Sequence, residues 1–590
     1  MFIRILALTI TLIMMALSVM MVSNNARFLF FIPFALPMGL LLSLMWLSIP
    51  NSKLNLNWNR LVSYWRFPRS LVIVTGWTLL WSLLPVYLAG HFPRPTGHDE
   101  FSYLLGADTF VHGRLTNSAP AGWEHFESFH ITASPTYQSK YQPGMALMLA
   151  LGQWLTNEPF VGVIIALVLA GYALAWMLAL WLPRRWALPM TLLAIIIMVD
   201  VWGDNYFIAG PLATMAGAVQ LGLLRRFMSA RQYSFKWVDG FLWGLSLVAL
   251  AWTRPFEGLL FSMLMAGAML VCVLQQKQLG RWLIRILPGM MLTLLPAIWF
   301  QVQYNQALTG SMTKFPYFLH DQQYFISPPF LFQSLLPEPV YRHETIKQFH
   351  REMAIVHQQY WSPDLLLSLI SFRFGIAWIH FGLLLWLIPM FVLPEIWARR
   401  DARWLLLLWV VFLAIIQVVA WFLPHYAAPA WPAWWIVVAI SIRLLRRWTW
   451  KGKQVGRFIV CLCVATTGSY VLLERMVIPS LFDFAWTKHK VQVASELLAL
   501  GPRHLVLVQY AADHNTGEEW VYNGADIAEE PIIWARSMDQ EHNRELIKNY
   551  PDRAVWLLKF KTKNQEPLYE LLPYVLEPDH ASPSPRKQAQ

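Results

Sequence analysis

The stretch PFVGVIIALVLAGYALAWMLALWL, residues 159–182, followed by Arg184 and Arg185, decides the fold. It is apolar over the roughly 17 to 25 residues that a helix needs to cross hydrocarbon. A soluble core helix would be amphipathic instead. Similar runs recur from the N-terminus to about residue 475, and the 590-residue chain is 57% hydrophobic and only 14% charged. Membrane is the class that accommodates such a balance. The first run, Ile5 to Val22, has no small-residue cleavage site and a second span follows at once, so it reads as a retained anchor rather than a signal peptide.

The formal net charge of +12 would suggest nucleic acid in a soluble protein. Here the basic residues gather in short loops at alternate ends of the spans, which is how orientation is set in a membrane. With the N-terminus in the cytoplasm, Lys53, Arg60, Arg66 and Arg69 fall on the cytoplasmic side, as do Arg184 and Arg185, and Arg225, Arg226, Arg231 and Lys236. So do Lys277, Arg281 and Arg285, then Arg399, Arg400 and Arg403, and the run from Arg443 to Arg457. The implied spans are 5–22, 28–48, 70–89, 159–182, 187–202, 209–227, 239–254, 256–274, 283–301, 376–396, 404–422, 427–445 and 457–473, about thirteen in all. An odd number places the C-terminus outside. Cys272, Cys461 and Cys463 lie in apolar segments and write no disulfide scaffold or zinc motif.

The expected fold class is therefore an all-α polytopic membrane protein with a small C-terminal periplasmic α/β domain. Residues 1–69 would hold two helices and a basic cytoplasmic loop, 70–475 the main membrane domain, and 478–590 the periplasmic domain. Gly144 to Leu155 is too short to span and is expected to be a juxtamembrane or half-inserted helix. Trp361 to Phe372, opened by Pro363, reads the same way. Outer segments 90–143 and 303–375 and the tail are too long to be mere connectors. In the tail, Leu505 to Tyr510, Pro531 to Trp534 and Ala554 to Phe560 look like buried strands, with Glu541 to Tyr550 helical.

The first outer segment opens with Pro93-Arg94-Pro95-Thr96-Gly97-His98-Asp99-Glu100. Two adjacent carboxylates just beyond a span can act as general base or orient an acceptor. The alternative is an acidic pair that stabilises the start of a helix over Phe101 to Val111 through its macrodipole.

The order Asp99-Glu100, Tyr103, Ala107, Gly113-Arg114-Leu115 and Lys140-Tyr141-Gln142-Pro143-Gly144 resembles the first outer loop of C-type (GT-C) glycosyltransferases. These include protein O-mannosyltransferases and the aminoarabinose transferases of lipid A. The resemblance covers the span and loop plan of residues 70 to about 445. It implies a sugar transferred from a polyprenyl-phosphate donor to a lipid, glycan or protein acceptor at the periplasmic face of a bacterial inner membrane. Asp99 or Glu100 would serve the acceptor, and Lys140 and Arg254 the donor phosphate.

Arg254 lies in Thr253-Arg254-Pro255-Phe256-Glu257-Gly258, which looks like the arginine-proline-acid turn of these transferases. A guanidinium matches phosphate oxygens with a fork of donors, although an interfacial arginine can also simply snorkel. His425, in Pro424-His425-Tyr426-Ala427-Ala428-Pro429, is a third phosphate candidate or a packing histidine. Tyr103, Lys314, Tyr317 and Tyr426 are expected around the donor or acceptor cavity, and Asp200 or Asp204 as a second acidic residue. Trp520-Val521-Tyr522-Asn523 and Trp534-Ala535-Arg536 read either as a carbohydrate surface or as core and turn. The scheme requires no cofactor and leaves a divalent metal open. The partners implied are the lipid-linked sugar, its acceptor and the bilayer, with no nucleic acid. The competing classes are a flippase of lipid-linked sugars, which would carry repeated halves and midplane polar sites, and a non-catalytic assembly factor.

Overall fold

The computed structural model describes residues 26–48, 69–203, 207–228, 235–360, 373, 382–477, 485–561 and 568–575. Among them, seven helices are long and apolar enough to cross a membrane: Arg69–Ala89, Phe160–Trp181, Arg184–Trp202, Pro255–Gln275, Leu279–Thr309, Arg400–Val418 and Val455–Met476. Shorter apolar helices cover Phe34–Met45, Trp237–Ala251 and Trp431–Leu445.

In chain order the helices are α1 (Ala26–Ser48), α2 (Arg69–Ala89), α3 (His98–Val111), α4 (Pro143–Thr156), α5 (Phe160–Trp181), α6 (Arg184–Gly203) and α7 (Gly210–Met228). They continue with α8 (Trp237–Ala251), α9 (Pro255–Gln275), α10 (Leu279–Thr309), α11 (Pro316–Tyr324), α12 (Glu344–Gln359), α13 (Leu387–Phe391) and α14 (Leu393–Ala398). Last come α15 (Arg400–Ile415), α16 (Trp431–Leu445), α17 (Val455–Val477), α18 (Ala485–Leu500) and α19 (Gln540–Asn549).

Two expected spans differ from a simple apolar helix. Where a span was expected over 209–227, α7 is a 19-residue helix at Gly210–Met228, but Gln220, Arg225, Arg226 and its many small residues keep it out of the long apolar set, and it lies largely buried. The single span expected over 376–396 is broken among its described residues into a 3-10 turn, Leu383–Trp386, and the short helices α13 and α14. Pro389 and Pro394 remove amide donors that a continuous helix would need, and Gly382 enters at φ 115°. The run at 5–22 and the expected helix at 361–372 lie outside the described residues.

α16 is central: Trp431, Trp434 and Trp435 are wholly buried within it, packed with Trp202 of α6 and Trp409 of α15 in one apolar core. α4 crosses α5 at glycines, where a Cβ on Gly152 would stand 2.2 Å from Gly162 N.

The long loops collect at one end of the bundle. The segment between α3 and α4 forms a small sheet of β1 (Asn117–Ser118), β2 (Ile131–Thr132) and β3 (Thr136–Ser139), ordered β1-β3-β2. At the C-terminus β4 (His504–Gln509), β5 (Ile532–Arg536), β6 (Ala554–Phe560) and β7 (Tyr569–Pro573) form a sheet ordered β5-β4-β6-β7, antiparallel only at β6 and β7. β4, β5, β6 and α19 fall where the sequence pattern set strands and a helix. Trp520, Tyr522 and Trp534 are 1%, 6% and 6% exposed, so they are core rather than an open sugar-stacking face. This sheet packs on the first loop: Leu105, Phe126, Ile131 and Tyr137 share one buried cluster with Leu505, Leu507 and Ile533. Phe101 stacks on Tyr522 at 4.1 Å, and Arg114 grips both oxygens of Asp526 at 2.7 Å.

Candidate active site at the polar end of the bundle

α3 begins after Gly97 with both carboxylates in its first turn, where unpaired amides favour negative charge. The two side chains then diverge. Glu100, 2% exposed, accepts from Thr96 N at 2.7 Å, Thr96 Oγ1 at 3.2 Å, Gly97 N at 2.8 Å and Phe207 N at 3.0 Å. It closes the helix start and ties it to the chain entering α7. Burial pushes its carboxyl up to about 7, against the pull of these donors.

The Asp99 side chain is 35% exposed and lies 3.2 Å from His130 Nε2. Its Oδ1 also accepts a short hydrogen bond from the Tyr141 hydroxyl. His130 sits at φ 60°, and burial, with Lys140 nearby, drives its pKa well below the usual histidine range. On the other side of this ring, Nδ1 is buried without a hydrogen-bond partner. His98, brought down to about 4 by burial, contacts the Tyr522 hydroxyl at 2.9 Å and so joins the start of α3 to the C-terminal sheet.

Lys140, between β3 and α4, is 2% exposed. Its ammonium is surrounded by the rings of Phe325, Tyr317 and Tyr141 at 4.7, 5.0 and 5.2 Å, and it makes no ion pair among the described residues. Burial lowers its pKa, and the Asp321 and Asp99 carboxylates oppose the shift. Asp321 is itself pushed up by burial, and its Oδ1 has no hydrogen-bond partner.

Arg254 caps α9 in the turn after α8. Its guanidinium lies over the Tyr426 ring at 4.8 Å, its Nε is buried without a partner, and it feels the charges of Asp99 and Glu257. Gly144 N donates to Trp252 O at 3.0 Å, which pins the segment following Lys140 to the turn that carries Arg254. Tyr103 stacks on Tyr141 at 4.6 Å. His425 is buried, with its ring 5.0 Å from that of Tyr426.

The structure thus gathers Asp99, Tyr103, Lys140, Arg254, Tyr317 and Tyr426 at one place. It sends two candidates elsewhere. Lys314 turns to Gln322 Oε1 at 2.7 Å on the surface, and Asp200 faces Arg475 of α17 at 3.9 Å as an interhelical pair. Asp204 lies outside the described residues. His130, Asp321 and Phe325 were not singled out from the sequence; each enters through a loop with no period to mark it. No group of three or more His, Cys, Asp or Glu among the described residues is arranged to hold a metal ion.

Fold and site together define an integral membrane protein with a charged centre, lined by tyrosines, at one end of a helical bundle. No family model and no curated protein matches the sequence. Among solved structures the chain is similar to ArnT from Cupriavidus metallidurans in the apo state, at 12% identity over 82% of this chain and 93% of that one, with a TM-score of 0.48. The same protein bound to undecaprenyl phosphate gives 11% identity, the same coverage and a TM-score of 0.47. The Archaeoglobus fulgidus oligosaccharyltransferase in complex with Zn and sulfate gives 12% identity over 83% and 68% of the two chains, with a TM-score of 0.44.

Proposed function

We propose that the protein is a GT-C-type glycosyltransferase that moves a sugar from a polyprenyl-phosphate donor to a cell-envelope acceptor at the periplasmic face of the bacterial inner membrane. The observation that carries this reading is the convergence of Asp99, Lys140 and Arg254 from three separate segments onto one centre. Asp99 takes the proton of the acceptor hydroxyl as that oxygen bonds to the anomeric carbon. The bond from that carbon to the phosphate oxygen breaks, and its electron pair leaves with the phosphate. Lys140 and Arg254 stabilise the charge that grows there. Direct displacement inverts the anomeric configuration.

The charged groups gather at one end of the bundle rather than at its midplane, which favours catalysis over alternating access. The test compares envelope glycans and lipid-linked sugars with and without the gene. Loss should leave an unmodified acceptor and an accumulated polyprenyl-phosphate sugar; unchanged glycans and unchanged lipid-linked sugars would sink the reading. Undecaprenyl phosphate, carried by one of the ArnT structures, is the probe for donor binding, and activity measured with a chelator decides whether a metal takes part.

A further inference from the structure

The end of the bundle opposite the charged centre carries a second concentration of charge. α6 runs from Arg184 toward the segment where Phe207 meets Glu100, and α16 runs from beside Tyr426, under Arg254, to Leu445. α15 leads from Arg400 toward Val419, which bridges to Phe330 in the long loop after α11. Their far ends therefore lie together. Arg446 closes α16 and lies over the Trp186 ring of α6 at 5.0 Å, and Trp448 packs 6.5 Å from Phe391 of α13. The charges of Arg185, Arg447 and Arg457 act on Arg446, and those of Arg185, Arg399, Arg446 and Arg447 act on Arg443.

Membrane orientation does not ask for this convergence. It depends on how many basic residues each loop holds, not on whether they meet. Guanidinium groups brought together from three junctions repel one another. Elsewhere in the bundle an arginine is met from within the protein, as Arg226 is by Asp239 at 2.7 Å. Here Arg185, Arg443, Arg446 and Arg447 have neither an ion pair nor a side-chain hydrogen bond among the described residues. The neighbouring carboxylate of Asp401 already faces Arg399 at 3.7 Å. The counter-charge this cluster needs is an anion from outside the chain.

Its source follows from the tryptophans. Trp397, Trp448 and Trp450 are 50%, 38% and 60% exposed around the same junctions, and exposed indoles of membrane proteins lie at the level of the lipid headgroups. Arg403 and Lys451 stand 5.8 and 5.2 Å from the rings of Trp397 and Trp450, which sets cations at that level too. A headgroup phosphate matches the guanidinium fork. The ammonium of phosphatidylethanolamine would add positive charge where no free carboxylate receives it, whereas phosphatidylglycerol and cardiolipin bring negative charge alone. We propose that the α5–α6, α14–α15 and α16–α17 junctions form a binding site for an anionic phospholipid, in the leaflet away from the charged centre. This site is independent of the transferase reading.

Native mass spectrometry of the full-length protein released from detergent tests it, with cardiolipin, phosphatidylglycerol and phosphatidylethanolamine as probes. The wild type should retain cardiolipin or phosphatidylglycerol in preference to phosphatidylethanolamine. Arg185→Gln combined with Arg446→Gln should weaken that retention about 30-fold, while Arg185→Lys with Arg446→Lys, which keeps the charge, should hold most of it. Arg281→Gln with Arg285→Gln removes the same charge from another basic loop and should leave retention unchanged. Thermal unfolding in detergent without added lipid, near wild type in each variant, shows them folded. Equal retention of the three lipids by the wild type, equal loss in the two glutamine pairs, or displacement of the lipid by glycerol phosphate, which would mark a site for a soluble anion, overturns the proposal.

Discussion

Asp99 and Glu100 are neighbours in sequence whose carboxylates face opposite environments: Glu100 is closed on the Phe207 amide at 3.0 Å, and Asp99 stands open beside His130 Nε2 at 3.2 Å. One is bound into the fold while the other is available to a ligand. Asp99→Asn should therefore lower turnover by about 10² to 10⁴-fold, the usual worth of a general base, with thermal stability and donor binding near wild type. Glu100→Gln should do the reverse. It turns an amide toward backbone donors and should cost about 1 to 3 kcal/mol of stability, with the smaller effect on turnover. Turnover at saturating donor, read beside thermal unfolding, separates the two. Normal turnover in Asp99→Asn removes it from the chemistry.

If Lys140 holds the donor phosphate as proposed, donor binding should be pH-dependent. Burial holds Lys140 below the ordinary lysine range, so its positive charge is lost at a lower pH than that of a surface lysine. Affinity for undecaprenyl phosphate should fall as pH rises through that lowered value. Lys140→Arg, whose charge persists throughout, should flatten the profile. Titration of binding against pH in both proteins checks this, and a wild-type profile as flat as that of the variant defeats it.

Arg254 presents a planar fork above the Tyr426 ring. Arg254→Lys preserves charge but loses the fork and the flat contact, so donor use should weaken by about 10 to 100-fold, the worth of a charged hydrogen bond. Wild-type donor kinetics in both Arg254→Lys and Arg254→Ala would exclude it from the site.

Two arginines tie the C-terminal sheet to the first loop at very different cost. Arg536 and Glu519 are both 2% exposed, and Arg536 also donates to Glu127 O and Thr345 Oγ1, each at 2.7 Å. Arg536→Met strands a buried carboxylate and should cost about 3 to 5 kcal/mol. Arg114, whose pair with Asp526 is 37% exposed on each side, should cost about 0 to 1 kcal/mol when changed to Ala. Limited proteolysis of the C-terminal sheet ranks them, and equal protection in both variants contradicts the burial argument.

Alternating basic loops predict opposite sides for residues 447 and 513. A reporter fused after Arg447 should be cytoplasmic and one after Asp513 periplasmic. Both on one side would overturn the orientation.

Helices such as α2, α5 and α9 were legible because apolar length is a local property, and so were the strands of the C-terminal sheet, whose hydrophobic runs stand out against a polar tail. The break at Gly382, Pro389 and Pro394 was obscured by the apolar residues around it, since hydropathy does not register missing amide donors. At the site, loop motifs drew attention to Asp99, Lys140 and Arg254. Lys314 and Asp200 occupy similarly suggestive positions, yet their side chains turn to Gln322 and Arg475. The contact of Tyr141 with Asp99 spans 42 residues and depends on how β3 returns along α3. A linear pattern does not encode that return.

Gly144 bears no chemistry, yet it calibrates the centre. A Cβ there would stand 2.7 Å from Trp252 O, so the gap between the strand end that carries Lys140 and the turn that carries Arg254 is gauged by main chain against main chain. Any bulkier residue at 144 should push the two segments apart and so weaken the phosphate site proposed between Lys140 and Arg254, with neither side chain itself altered. Under the proposed donor role, selectivity for headgroup size would then drift through a residue whose own side chain is a single hydrogen.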